Sequence, residues 1–148
     1  MQRRSMLLAM TAILTPSLAL AEAINTAGGA AIQGYDPVAY FTRGQPTRGN
    51  PAINTGWNGA EWRFASEANR AAFLAAPERY APQFGGFCAY AVSEGYTATI
   101  DPRAWRIEGG RLYLNYSARI QRTWEQDIPG RVSRANGHWE RLGQAPRG

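Results

Sequence analysis

The stretch Ile53-Asn54-Thr55-Gly56-Trp57-Asn58-Gly59-Ala60-Glu61-Trp62-Arg63-Phe64 constrains the fold more than any other part of the chain. Asn-Gly supplies the two positive-φ residues of a type I′ turn, whose twist suits a two-residue antiparallel hairpin. With that turn at the tip, Trp57 faces Ala60, Thr55 faces Trp62 and Ile53 faces Phe64. Both arms then turn their apolar side the same way. Turn chemistry and alternation are independent signals, and here they agree. Gly109-Gly110 sets up a second hairpin by the same logic. Ile107 opposite Leu112 and Trp105 opposite Leu114 make a buried side, while Arg106 opposite Tyr113 and Glu108 opposite Arg111 make a wet side.

Short helices are expected between and after the hairpins. Ser66 is an N-cap for a helix reaching Ala76 and stopped at Pro77. A shorter helix spans Phe87 to Glu94, ended by Gly95. Ser117 caps a third, with Ile120, Trp124 and Ile128 on one stripe before Pro129-Gly130. A last helix aligns Val132, Ala135 or Asn136, and Trp139. Val38-Ala39-Tyr40-Phe41, after the Asp36-Pro37 turn, reads as an edge strand. Together these elements predict a small α+β single domain of antiparallel hairpins packed against short helices. No internal repeat, heptad, zinc-finger spacing, phosphate-binding glycine loop or Gly-x-Ser-x-Gly elbow is visible. The five tryptophans, at 57, 62, 105, 124 and 139, are expected in the core.

The first residues fit an export signal: Arg3 and Arg4, an apolar stretch from Met6 to Leu20, and Ala19-Leu20-Ala21 as the cleavage pattern. The expected mature chain starts after Ala21 and is periplasmic or secreted, by a Sec or twin-arginine route. No stable membrane insertion is expected after cleavage. Residues 22–33, small and polar, read as a flexible lead-in, 34–142 as the domain and 143–148 as a disordered tail. The net charge of +5 is modest, and two of the 16 basic residues, all of them arginine, lie in the leader. With export, this argues against a nucleic-acid partner.

The run Asp36-Pro37-Val38, the hairpin end Trp62-Arg63-Phe64-Ala65-Ser66, Asn69 with Phe73-Leu74, and Ala76-Pro77-Glu78-Arg79-Tyr80 together resemble the YHS family. The family comprises small domains often associated with metal-handling proteins. Gly34 to Phe41, Tyr80 to Ala89 and Leu112 to Ser117 look like an exported branch, some of whose members are described as selenoproteins. Members built for metal carry one cysteine after Asp-Pro-Val and another before the helix-starting Ser. Here those positions are Ala39 and Ala65, and a methyl group cannot ligate a metal. The resemblance thus implies a fold without its inherited metal site.

Cys88 is the single thiol, so no internal disulfide forms. It follows Gly85-Gly86 at an expected helix start, where unsatisfied N–H groups and the helix dipole lower a thiol pKa. The plainer account makes it a small apolar filler beside Phe87 and Tyr90. Tyr35, Asp36, Tyr40, Asn115 and Tyr116 are expected to line a polar-aromatic pocket with it. Turn formation and half-buried packing are the competing account of those five. His138, the only imidazole, is read as exposed or packing. The functional expectation is a non-enzymatic binding or sensing domain, with Cys88 holding a soft metal such as Cu(I) or a small ligand and no cofactor required. The alternatives are a single-thiol redox enzyme acting through a Cys88 sulfenic acid, and a module with a structural cysteine that binds an envelope protein.

Overall fold

A computed structural model describes residues 22–144; the proposed leader and residues 145–148 of the tail lie outside the described residues. The elements are α1 (Ala39–Thr42), β1 (Asn50–Trp57), β2 (Ala60–Phe64), α2 (Glu67–Ala75), α3 (Pro77–Tyr80), α4 (Ala89–Ser93), β3 (Asp101–Glu108), β4 (Arg111–Asn115), α5 (Ala118–Glu125) and α6 (Ile128–Leu142). β1 pairs with β2 and β3 with β4 as two separate antiparallel hairpins, the α+β arrangement read from the sequence. No helix among the described residues is long and apolar enough to cross a membrane.

The hairpin tips fold as their turn residues require. Asn58 and Gly59 have φ of 54° and 74°, and Gly109 and Gly110 have 59° and 76°. Trp57 pairs with Ala60 and Thr55 with Trp62, but Ile53 is not opposite Phe64, whose partner is Asn50 across a bulge. Local chemistry explains the slip. Pro51 has no N–H to give the ladder, Asn50 Oδ1 accepts from Ala52 N, and Asn54 Nδ2 donates to Pro51 O. In the second hairpin all four expected pairs form.

Its second face is not wet, however. Tyr113 is buried, with its ring 5.1 Å from that of Trp124, and Arg106 reaches Glu125 on α5 at 2.6 Å. β4 therefore divides two cores. Leu112 and Leu114 join Trp62, Phe64, Phe73, Ile32 and Val38 in one. Tyr113 joins Phe84, Val92, Trp124 and Ala135 in the other, closed by α4, α5 and α6. Alternation shows that a strand has two faces; it does not show that helices arriving later cover the second.

Two further expectations are corrected. Val38 to Phe41 enter a helical turn because the Asp36 carboxylate accepts from Val38 N and Ala39 N, donors that a helix start leaves without a backbone partner. Nor is 22–33 a lead-in set apart from the domain. Ala30, Ala31 and Ile32 are buried in the core. Asn25 N donates to Gly85 O, and its side chain donates to Gly86 O and Thr99 Oγ1. Of the expected tail, Gly143 O accepts from Ala23 N, and Gln144 bridges Glu22.

The chain also contains a structural repeat that its sequence conceals. Asn50 and Asp101 open the first strands, Ala60 and Arg111 the second strands, and Ser66 and Ser117 cap the following helices, each pair 51 positions apart. Both first strands carry the same bulge after an Asn-Pro or Asp-Pro pair. Each half is entered by a left-handed turn: Ile32, Gln33 and Gly34 have φ of 44°, 57° and 78°, and Phe84, Gly85 and Gly86 have 57°, 62° and 78°. Each turn leads to a residue whose N–H bonds the same place in its half, Asp36 N to Thr47 O and Cys88 N to Ala98 O.

Candidate functional site

The equivalence of Asp36 and Cys88 organises the site. Asp36 is fully buried. Its Oδ1 accepts from Val38 N at 2.8 Å and Ala39 N at 3.2 Å, and its Oδ2 accepts from Ala65 N and Asn69 Nδ2, both at 2.8 Å. Four donors and no cation hold this carboxylate, which joins the start of α1 to the β2–α2 junction. Ala39 and Ala65, where the family resemblance expects metal-ligating cysteines, are thus the residues whose N–H groups fasten Asp36.

In the second half Cys88 Sγ occupies the corresponding place. It accepts from Tyr116 N at 3.3 Å, the counterpart of Ala65 N, and its S–H points to Asn115 Oδ1 at 3.6 Å. The N–H groups of Tyr90 and Ala91 also face the sulfur, and that of Tyr90 bonds Asn115 Oδ1 at 3.0 Å. These backbone donors favour a thiolate, as expected at a helix start. Burial nevertheless outweighs them and pushes the thiol pKa up. The expected lowered pKa is therefore reversed: the thiol stays protonated at neutral pH.

What differs between the halves is the fourth donor. The counterpart of Asn69 is Ile120, 51 positions on, and no amide closes the site. Instead a cavity of about 230 Å3 opens over the sulfur, lined by Cys88, Tyr90, Ala91, Tyr96, Ala98, Tyr116 and Ile120. The Cys88 residue is only 1% exposed, but Tyr96 and Tyr116 at the cavity are 51% and 57% exposed, unusual for large aromatic residues in this chain. Asn115 beneath is wholly buried, and its Nδ2 has no hydrogen-bond partner. A buried amide donor left unmade costs about 1 to 3 kcal/mol, so this one stands out.

Of the residues expected to gather at the site, Asn115 and Tyr116 do meet Cys88. Asp36 is committed to its own cradle. Tyr35 and Tyr40 assemble elsewhere, around Asp101 and Pro102. Tyr40 is buried, its hydroxyl donates to Pro102 O at 2.7 Å and its ring lies 5.2 Å from Trp105. Burial first, then Tyr35 and Asp101, raise its pKa. Tyr35 stacks under the Arg48 guanidinium at 5.2 Å. His138 is half-buried against Gly95 and supplies none of the sulfur's hydrogen bonds. Sequence reasoning missed Tyr90, Ala91, Tyr96, Ala98 and Ile120 as cavity residues. Ile120 was legible only as a helix-stripe residue.

A larger cleft, about 820 Å3, lies between the two hairpin tips and α6, walled by Trp57, Asn58, Gly109, Arg111 and Trp139 among others. None of the candidate residues lines it, and nothing there matches the unpaired amide beside a thiol at the smaller cavity. Among the described residues no group of three or more His, Cys, Asp or Glu side chains is placed to hold a metal ion. The chain matches no family model, no curated protein and no solved structure.

Proposed function

We propose that this protein is an exported YHS-like binding or sensing domain that holds a small, mainly apolar ligand on Cys88 between Tyr90, Tyr96 and Tyr116. One observation carries the reading. The same backbone cradle that locks a carboxylate in the first half holds a thiol in the second, and the amide that would close it is replaced by Ile120, leaving a cavity. An apolar filler would need neither the cradle nor the opening. The cavity is on the scale of one substituted ring, since an apolar cavity of about 150 Å3 accepts benzene. A protonated sulfur and three tyrosine rings suit such a ligand better than they suit a metal ion, for which the site offers one soft donor. The raised thiol pKa weighs against a one-thiol redox enzyme, because the thiolate is the reactive species.

The test is a ligand-observed NMR screen with p-cresol and indole as probes, alongside an Ag(I) titration. Binding of the ring probes that is lost in Ile120→Trp supports the reading. Ring binding unaffected by Ile120→Trp overturns it, as does stoichiometric Ag(I) binding that vanishes in Cys88→Ser while the ring probes do not bind.

A further inference from the structure

We infer that Cys88 is a modification site at which the thiol is converted to a stable sulfinate by a peroxide. A sulfinate side chain, CH2–SO2⁻, has the shape and charge of an aspartate, CH2–CO2⁻, and the first half of the fold shows what this cradle does with such a group. There two carboxylate oxygens take Val38 N, Ala39 N, Ala65 N and an amide Nδ2. Around Cys88 the corresponding N–H groups belong to Tyr90, Ala91 and Tyr116. The counterpart of the Asn69 amide is missing, but a different amide lies beside the sulfur. Asn115 Nδ2 is buried without a partner on a side chain whose Oδ1 already touches the sulfur. As a thiol, Cys88 leaves that donor unused. Rotation of the Asn115 amide would turn Nδ2 to the side where Oδ1 now faces the sulfur and give it to a sulfinate oxygen, with Tyr90 N passing from Asn115 Oδ1 to the new anion.

The chemistry needs only a peroxide, which reaches the sulfur through the cavity between Tyr96 and Tyr116. The sulfur lone pair attacks the distal peroxide oxygen, an S–O bond forms and the O–O bond breaks. The leaving hydroxide takes the thiol proton and departs as water. The sulfur is thereby oxidised by two electrons to the sulfenic acid, Cys–SOH, and the peroxide is reduced. A second peroxide repeats the step, giving Cys–SO2H and a second water, and the acid ionises in the cradle. The backbone N–H groups hold the charge once the sulfinic acid has ionised. The reaction is slow and stoichiometric because the thiol holds its proton, and it leaves a charge on the floor of an apolar cavity, so oxidation discharges whatever apolar ligand sits there. The modification itself does not depend on any ligand binding.

Hydrogen peroxide treatment of the folded full chain, followed by peptide mass analysis, tests this. The expected result is a gain of about 32 Da at Cys88, resistant to dithiothreitol, that does not proceed to the sulfonate gain of about 48 Da. The urea-unfolded chain runs on to the sulfonate. Cys88 that stays reduced while folded, or that reaches sulfonate as readily folded as unfolded, overturns the inference. A second arm uses Cys88→Asp. The inference expects it to fold with a urea midpoint at or above that of Cys88→Ala, and a Cys88→Asp chain less stable than Cys88→Ala contradicts it. Loss of probe binding in Ile120→Trp bears on the ligand reading alone, so the two can fail separately.

Discussion

Asp36 and Cys88 stand at the same point of the two halves of this fold, each following a left-handed turn and each accepting the backbone N–H of the residue that leaves the second strand of its hairpin, Ala65 or Tyr116. In the first half the acceptor is charged and all its partners are in place. In the second it is a neutral thiol, with a cavity above it and an idle amide donor beside it. The first site is closed by four hydrogen bonds and the second is not.

Asp36→Asn should therefore be far more damaging than its conservative chemistry suggests. It turns one carboxylate oxygen into an NH2 facing N–H donors in a buried site. The expected loss is about 3 kcal/mol, from charge-assisted bonds given up and donors left unpaired. Cys88→Ala, which orphans mainly Tyr116 N, should cost about 1 to 2 kcal/mol. Urea unfolding of both variants checks the order.

Stability should fall on the alkaline side in two stages. The folded protein holds the Cys88 proton more tightly than the unfolded chain does, because burial raises its pKa. Below about 8.5, the ordinary cysteine value, both states are protonated and stability is unaffected. Above it the unfolded chain ionises first, and stability declines until the folded thiol also ionises. Tyr40 and Tyr113, both raised chiefly by burial, add a second decline above about 10. Urea midpoints measured across this range should show Cys88→Ser losing the first stage and keeping the second.

Gly86 is fixed by two demands. Its φ is 78°, and a Cβ there would lie 2.6 Å from Ile32 Cγ2, in the other left-handed turn. Gly86→Ala should cost about 2 to 4 kcal/mol from strain and overpacking together. Gly59→Ala, at a φ of 74° but with nothing within 4 Å, should cost only the conformational part, about 1 to 2 kcal/mol. Thermal unfolding of the pair separates the contributions.

Asn25 is one of the residues that fasten 22–33 to the rest of the domain. Its side chain donates to Gly86 O at 3.0 Å and accepts from Ala27 N at 3.2 Å. Asn25→Ala should destabilise the whole domain by about 2 kcal/mol, and amide exchange should quicken in 83–86 as well as in the N-terminal segment. A change confined to the N-terminal segment would mean that it is peripheral.

Much of the architecture was legible because local signals set it. Asn58-Gly59 and Gly109-Gly110 demand tight turns, Ser66 and Ser117 cap helices by accepting from Asn69 N and Ile120 N, and the alternation around them fixes most of the register. What escaped depended on contacts between distant segments. The left-handed turn at Ile32 and Gln33 has no composition cue, since a β-branched residue rarely adopts positive φ. It is held by core burial and by Gln33 Nε2 donating to Ile100 O. The repeat was hidden for a related reason. The halves share geometry at Pro51 and Pro102, Gly59 and Gly110, and Ser66 and Ser117, while core and site positions differ, as Asp36 and Cys88 or Asn69 and Ile120 do. Cys88 was legible as the single thiol near a helix start, but its pKa depended on how much of its surroundings closed over it, which no local pattern states.

The most direct test of the Cys88 cavity is the rate at which methyl methanethiosulfonate, a small apolar thiol reagent, modifies Cys88 in the folded protein. An open cavity over the sulfur predicts a rate independent of low urea concentrations, since no unfolding is needed, and strong suppression in Ile120→Trp. A rate that rises with urea in parallel with global unfolding and is unchanged by Ile120→Trp would mean that the sulfur is sealed, and would return Cys88 to a packing role.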